Sequence, residues 1–238
     1  MLFKILNPYF FTSLSRKLLP FLFSAMALLI TWGLYQALWV SPEDYQQGEM
    51  VRIMYIHVPA AWMSLAIYTF ITCCSVSNLV WKTPMSFIMA IAAAPIGAVF
   101  ALITLVTGSL WGKPIWGTWW VWDARLTSML VLFLLYLSYI AVASSGDNML
   151  RAAKPASCIA LIGFINIPIV KFSVNIWYSL HQPASIFRLG GPTIHSSMLL
   201  PLILMLASFI LYFGVIFILR IHILLNYLQL SKKNIEVG

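Results

Sequence analysis

The sequence predicts an all-α integral membrane protein of six transmembrane helices, with both the N- and C-termini on the cytoplasmic side. Three observations carry this. Of 238 residues, 62% are hydrophobic and only 8% charged, against about 25% charged in a soluble domain. The few charges are gathered into clusters, and the runs between them have the length, about 20 apolar residues, that crosses a hydrocarbon core. Finally, Lys and Arg are spread unevenly over the connections, which sets the orientation.

The whole chain, 1–238, is expected to form a single membrane domain. Its helices are expected over about 18–40, 55–80, 86–110, 126–145, 155–173 and 196–219, read from the charge-free runs. Residues 1–17 are basic and are expected along the inner surface. The first run is too long for a signal-peptide core and no A-x-A-like site follows it, so it reads as a retained anchor. Ser41-Pro42-Glu43-Asp44 stops the first span and turns the chain. The second span opens near His57, with Pro59 tolerable in a first turn. Trp81-Lys82-Thr83-Pro84 turns into the third span, whose small residues Ala92, Ala93, Ala94 and Gly97 permit close packing, with Pro95 implying a kink. Gly112, Pro114 and Gly117 end regular structure, so residues 111–125 read as a loop before the fourth span. The fifth span is the least regular, since Asn166, Pro168 and Lys171 crowd its end. The sixth follows Gly190-Gly191-Pro192.

With the N-terminus inside, the inner cations are Lys4, Arg16, Lys17, Lys82, Arg151, Lys154, Arg220, Lys232 and Lys233. The outer ones are Arg52, Lys113, Arg125, Lys171 and Arg188, offset by Glu43, Asp44, Glu49 and Asp123. The net charge of +8 is therefore inner-face anchoring, and needs no nucleic acid as partner. Cys73, Cys74 and Cys158 form no C-x-x-C pair, which leaves thiol–disulfide chemistry without residues. No Walker-type glycine loop is present, so the chain does not hydrolyse nucleotide by itself.

The 111–125 loop holds Trp111, Trp116, Trp119, Trp120 and Trp122, five of the ten tryptophans, beside Lys113, Asp123 and Arg125. Such a cluster suits an aromatic floor for a flat ligand, and it equally suits a membrane-interface anchor. His57, His181 and His195 all fall on the outer side, and His222 falls on the inner, where it reads as a surface residue. Imidazole is the commonest metal ligand and an axial ligand of haem iron. Two histidines converging beside an aromatic floor would clamp a haem, with Lys113, Arg125, Arg52 or Arg188 meeting its propionates. Zinc competes, although it wants three or four clustered ligands. Asp123 reads as a cap for the fourth span or a partner of Arg125. On spacing alone these readings stay open, and so do a transporter conducting haem across the bilayer and a membrane haem–quinone oxidoreductase.

The string WGKPIWGTWWVWDARLTS (111–128) contains the W-G-x-x-W-x-W-D pattern and resembles the tryptophan-rich (WWD) haem-handling family, in its cytochrome c maturation protein C (haem exporter protein C, CcmC) branch. DYQQGEMVRIMYIHVPAAW (44–62), APIGAVFALITLVTGS (94–109) and SVNIWYSLHQPAS (173–185) support it. The resemblance implies a haem-binding protein rather than an enzyme, with His57 and His181 as the axial ligands of a transiently bound haem b. It also implies haem contacts from Trp111, Trp116, Trp119, Trp120, Trp122 and Asp123, with Arg125 beside them. It further implies delivery of haem to the chaperone CcmE during c-type cytochrome biogenesis, alongside the ABC transporter subunits CcmA and CcmB and the small membrane protein CcmD. The expected location is the bacterial inner membrane with the haem site facing the periplasm, or the mitochondrial inner membrane. His195 lies in none of these strings.

Overall fold

The computed structural model describes residues 7–145, 151–181, 186, 190–191 and 194–237, with side chains described through Leu230. Lys4, Asp147 and Arg188, and the side chains of Lys232 and Lys233, lie outside the described residues. Among the described residues, the regular elements are all helical: α1 (Pro8–Tyr35), α2 (Met54–Trp81), α3 (Pro84–Trp116), α4 (Ala124–Ala143), α5 (Ala153–Phe164), α6 (Asn166–Ile176) and α7 (Ser196–Val237). A π-turn, Gln36–Val40, prolongs α1, and a 3₁₀ turn, Glu49–Ile53, leads into α2. Among the described residues six spans are long and apolar enough to cross a membrane, α5 and α6 together forming the fifth.

Several boundaries differ from those expected, each for a local reason. Helix α1 begins at Pro8, not near residue 18. The Asn7 side chain accepts from the Tyr9 and Phe10 amides at 3.0 and 3.3 Å, Pro8 takes the first helical position, and Arg and Lys are good helix formers that do not end it. Helix α3 runs on through Gly112 and Pro114 to Trp116. Its end is set by Gly117, whose φ of +77° is the left-handed C-cap conformation. The Gly117 amide donates to the Lys113 carbonyl at 3.0 Å, and Lys113 Nζ donates back to the Gly117 carbonyl at 3.0 Å. Trp111, Lys113 and Trp116 are thus helical, and the irregular stretch shrinks to 117–123. The fifth span breaks at Ile165 and resumes. The Asn166 side-chain amide there donates to the buried Ser128 carbonyl of α4 at 2.8 Å, and Pro168 stands in the first turn of α6, where its missing N–H costs nothing.

Helix α3 is the central element, packed against α2, α4 and α7. Ala90, Ala92, Ala93, Ala94, Ala98 and Ala101 are buried along it and let neighbouring backbones approach. Large buried rings fill spaces that glycines leave. A Cβ on Gly97 would lie 2.4 Å from the Tyr136 ring, and one on Gly163 would lie 2.0 Å from the Tyr68 hydroxyl oxygen. Tyr136 donates to the Ser64 carbonyl of α2 at 2.6 Å and stands edge-on to Tyr68, ring centroids 5.1 Å apart. In the turn before Pro95, the Ala92 carbonyl accepts from Arg220 Nε of α7 at 2.9 Å. Helix α1 packs on α7, with Gly33 against Met205. His222, read from sequence as a surface residue, is half-buried between these two helices, its Nε2 bonded to the Ser15 hydroxyl at 2.8 Å. The hydrogen bond satisfies a polar side chain in a largely apolar setting and so joins the two helices.

Candidate functional site

One end of the bundle gathers the start of α2, the end of α3, the 117–123 stretch, the start of α4 and the segment after α6. His57 enters from the first turn of α2. Its Nδ1 lies 3.0 Å from the Thr107 hydroxyl of α3. That hydroxyl donates its proton to the Ile103 carbonyl at 2.6 Å, so it accepts from His57, and the imidazole proton sits on Nδ1. Nε2 is left with its lone pair, the form in which imidazole ligates a metal. Gly108 gives the ring room: a Cβ there would meet His57 Cε1 at 3.0 Å. Trp111 stands edge-on to the same ring, with centroids 5.7 Å apart, and donates its indole N–H to Gln47 Oε1 at 2.8 Å.

His181 follows α6 and is held differently. Asp123 is the N-cap of α4, and the Leu126 amide donates to its Oδ1 at 2.8 Å. Its Oδ2 accepts from the Ser179 hydroxyl at 2.5 Å and faces His181 Nδ1 at 3.2 Å. Ser179 Oγ in turn accepts the His181 amide at 3.1 Å. One carboxylate therefore caps a helix and fixes an imidazole, again with the proton on Nδ1 and with no partner on Nε2 among the described residues. Burial acts to raise the Asp123 carboxyl, but the Leu126 amide, the Ser179 hydroxyl and His181 outweigh it, so its pKa lies below the ordinary carboxylate value and it is ionised. Burial lowers the His181 pKa further than the Asp123 carboxylate raises it, which favours the neutral, ligating form. Trp116 stands edge-on to His181, with centroids 4.9 Å apart.

The two imidazoles lie close enough for a charge on one to be felt at the other, and Arg125 acts on both. Arg125 is half-buried, and its carbonyl accepts from the Ser128 hydroxyl at 3.2 Å. It is not the partner of Asp123 that the sequence suggested as one option, since that carboxylate is already engaged by Leu126, Ser179 and His181. Trp120 packs edge-on to Trp122, centroids 5.5 Å apart, and its buried indole N–H has no partner among the described residues. Trp119 and Trp122 are exposed, at 55% and 76% of their surface. Trp119 lies over Leu105, Val106, Ser109 and Leu110 on the flank of α3, with Lys113 Nζ 5.9 Å from its ring centre. The tryptophans thus divide into two that brace histidines and three that form the rim.

His195 stands apart. Its Nδ1 bonds the Ser197 hydroxyl at 2.8 Å, and its carbonyl accepts the Met198 amide, the work of a helix start. Among the described residues no three His, Cys, Asp or Glu side chains come together, so a tetrahedral zinc site has no ligand set there. Gln47, Thr107, Gly108 and Ser179 escaped the sequence reading. Only Ser179 carried a local signal, a hydroxyl two residues before a histidine whose amide it accepts. The others act across long stretches of chain.

The donor set suits a haem. Among the described residues neither Nε2 has a hydrogen-bond partner, and the buried Trp120 N–H and Arg125 offer polar capacity that would suit propionates. A family model described as haem exporter protein C matches residues 1–235. The haem exporter protein C of Bradyrhizobium diazoefficiens is 49% identical over 212 residues, covering 89% of this chain and 80% of that protein. A cytochrome c biosynthesis ccmC-like mitochondrial protein of Marchantia polymorpha is 46% identical over 230 residues, 97% of this chain and 98% of that one. The haem exporter protein C of Escherichia coli K12 is 48% identical over 164 residues, 69% of this chain and 67% of its own length.

Proposed function

Because the chain belongs to the haem exporter protein C family, a family of multi-pass membrane proteins, we propose that it binds haem b between His57 and His181 and delivers it to the chaperone CcmE in c-type cytochrome biogenesis. The observation that carries this reading is the shared state of the two imidazoles. Each has Nδ1 engaged, by Thr107 or Asp123, and each is braced by a tryptophan of α3. Outer partners of this kind fix the tautomer and aim of a histidine ligand and raise its basicity. Trp119, Trp120 and Trp122 supply the rim on which the ring system lies, and Arg125 with the Trp120 N–H receives propionates.

The protein's work is positional and not catalytic. Bond formation to the chaperone is chemistry of the haem and the chaperone, and this chain orients the one for the other. The reading includes CcmA, CcmB and CcmD as companions. It sets the protein in the bacterial inner membrane, or its mitochondrial counterpart, with the site on the periplasmic side and both termini inside. The test is the visible spectrum of the detergent-purified chain. A six-coordinate, low-spin haem is expected. His57→Ala and His181→Ala each lose a ligand, while His195→Ala and His222→Ala keep the spectrum. Equal loss from all four variants, or from His195→Ala alone, overturns the assignment.

A further inference from the structure

We infer that Gln47 is a positioning residue for His57, acting through the Trp111 indole, so that the Asp44–Gly48 turn of the outer loop sets the aim of the nitrogen offered to iron. The inference rests on the haem reading above.

The loop between α1 and α2 is fastened to the bundle. The Ser41 and Tyr55 hydroxyls bond each other, and Arg52 pairs with Glu49 and donates to the Ala37 carbonyl at 3.2 Å. Within the loop, Asp44 builds a rigid turn. Its Oδ1 accepts from the Gln46 and Gln47 amides, both at 2.9 Å, and its carbonyl accepts the Gly48 amide at 2.8 Å. Gly48 closes the turn at φ +54°, where only glycine sits without strain. The backbone of Gln47 is therefore held before its side chain does anything.

That side chain reaches α3. An indole N–H only donates, so the atom of Gln47 that meets Trp111 Nε1 at 2.8 Å is the amide oxygen. Trp111 in turn presses edge-on against His57. Of the contacts on that imidazole, those from Thr104, Thr107 and Gly108 belong to the packed body of α3 and are fixed with it. Only the indole needs an outside anchor to hold its rotamer, and Gln47 is that anchor. Among the described residues His181 has no such link to the loop, and its Nδ1 is held by Asp123 and Ser179. The turn also carries Tyr45, 92% exposed, so contact at the outer surface is passed to one axial ligand and not the other.

The test uses the full-length, haem-loaded protein and the variant Gln47→Leu, which keeps the shape and removes the acceptor. Haem content stays near that of the unmodified protein. Ferric haem shows altered EPR g-values, and exogenous imidazole exchanges at the iron about five-fold faster, the worth of one hydrogen bond. Trp111→Phe shows the same altered g-values and faster exchange, the double variant exchanges no faster than Trp111→Phe alone, and Gln47→Glu, which keeps an acceptor, restores the original spectrum. Unchanged g-values and exchange in Gln47→Leu, or additive effects in the double variant, overturn the inference. A spectrum indifferent to His57→Ala sinks the haem reading itself. One sensitive to His57→Ala but untouched by Gln47→Leu sinks only the relay.

Discussion

Asp123 does two acceptor jobs with two oxygens, and Asp123→Asn leaves one oxygen for both. Oδ1 caps α4 through the Leu126 amide, and Oδ2 holds Ser179 and His181. In the haem-free variant the amide oxygen is expected to keep the cap, because Asn caps as well as Asp. Its NH₂ group then faces His181 Nδ1, which accepts, and the imidazole proton moves to Nε2. Fold stability therefore changes by only a few tenths of a kcal/mol, while the nitrogen meant for iron is occupied. Binding haem through His181 requires one of two reversals. Flipping the amide gives up the cap, about 1 kcal/mol. Keeping it gives up a charge-assisted hydrogen bond, about 1.5–3 kcal/mol. The cheaper reversal sets the loss, so haem affinity should fall roughly five-fold. Asp123→Ala is the control, since it loses the cap as well and should melt with about 1 kcal/mol less stability. The assay is haem titration of the purified apoprotein followed by its visible spectrum, alongside thermal melting. Unmodified affinity and a low-spin spectrum in Asp123→Asn would refute the tautomer argument.

Three further outcomes follow from particular contacts. Gly108→Ala puts a methyl group 3.0 Å from His57 Cε1, so the ring must shift away from Thr107; haem retention should weaken while the melting temperature barely moves, and normal retention would mean the ring has slack. Gly97→Ala places a Cβ 2.4 Å from a fully buried Tyr136. Such overpacking costs about 1–3 kcal/mol, to be read in a detergent melting curve, and Tyr136→Phe, still too large for the space, should not rescue it. Reporter tags after Gly48, within 117–123 and near Gly190 should be accessible from the outer compartment, and tags near Thr83 and at the C-terminus from the inner; a C-terminal tag found outside would require an odd number of spans.

Composition and charge spacing by themselves determined the class and the number of crossings. A bilayer demands long uncharged runs, and no packing detail can hide or create them. They also brought out the tryptophan cluster and the outer histidines as the place to look. Where helices end was less legible. Gly112 and Pro114 read as breakers, but Pro114 removes only the one bond to the Leu110 carbonyl, and the helix runs on to its cap at Gly117. The division of labour within the cluster belonged to the tertiary structure alone. Nothing in sequence couples His57 to Thr107, fifty residues on, or His181 to Asp123, fifty-eight residues before it. A residue's partner across a bundle is set by helix register and crossing angle, which a pattern of apolar residues leaves undefined along a helix that is apolar on every side. Only when α4 and α6 are packed does the carboxylate that caps α4 come to lie beside an imidazole.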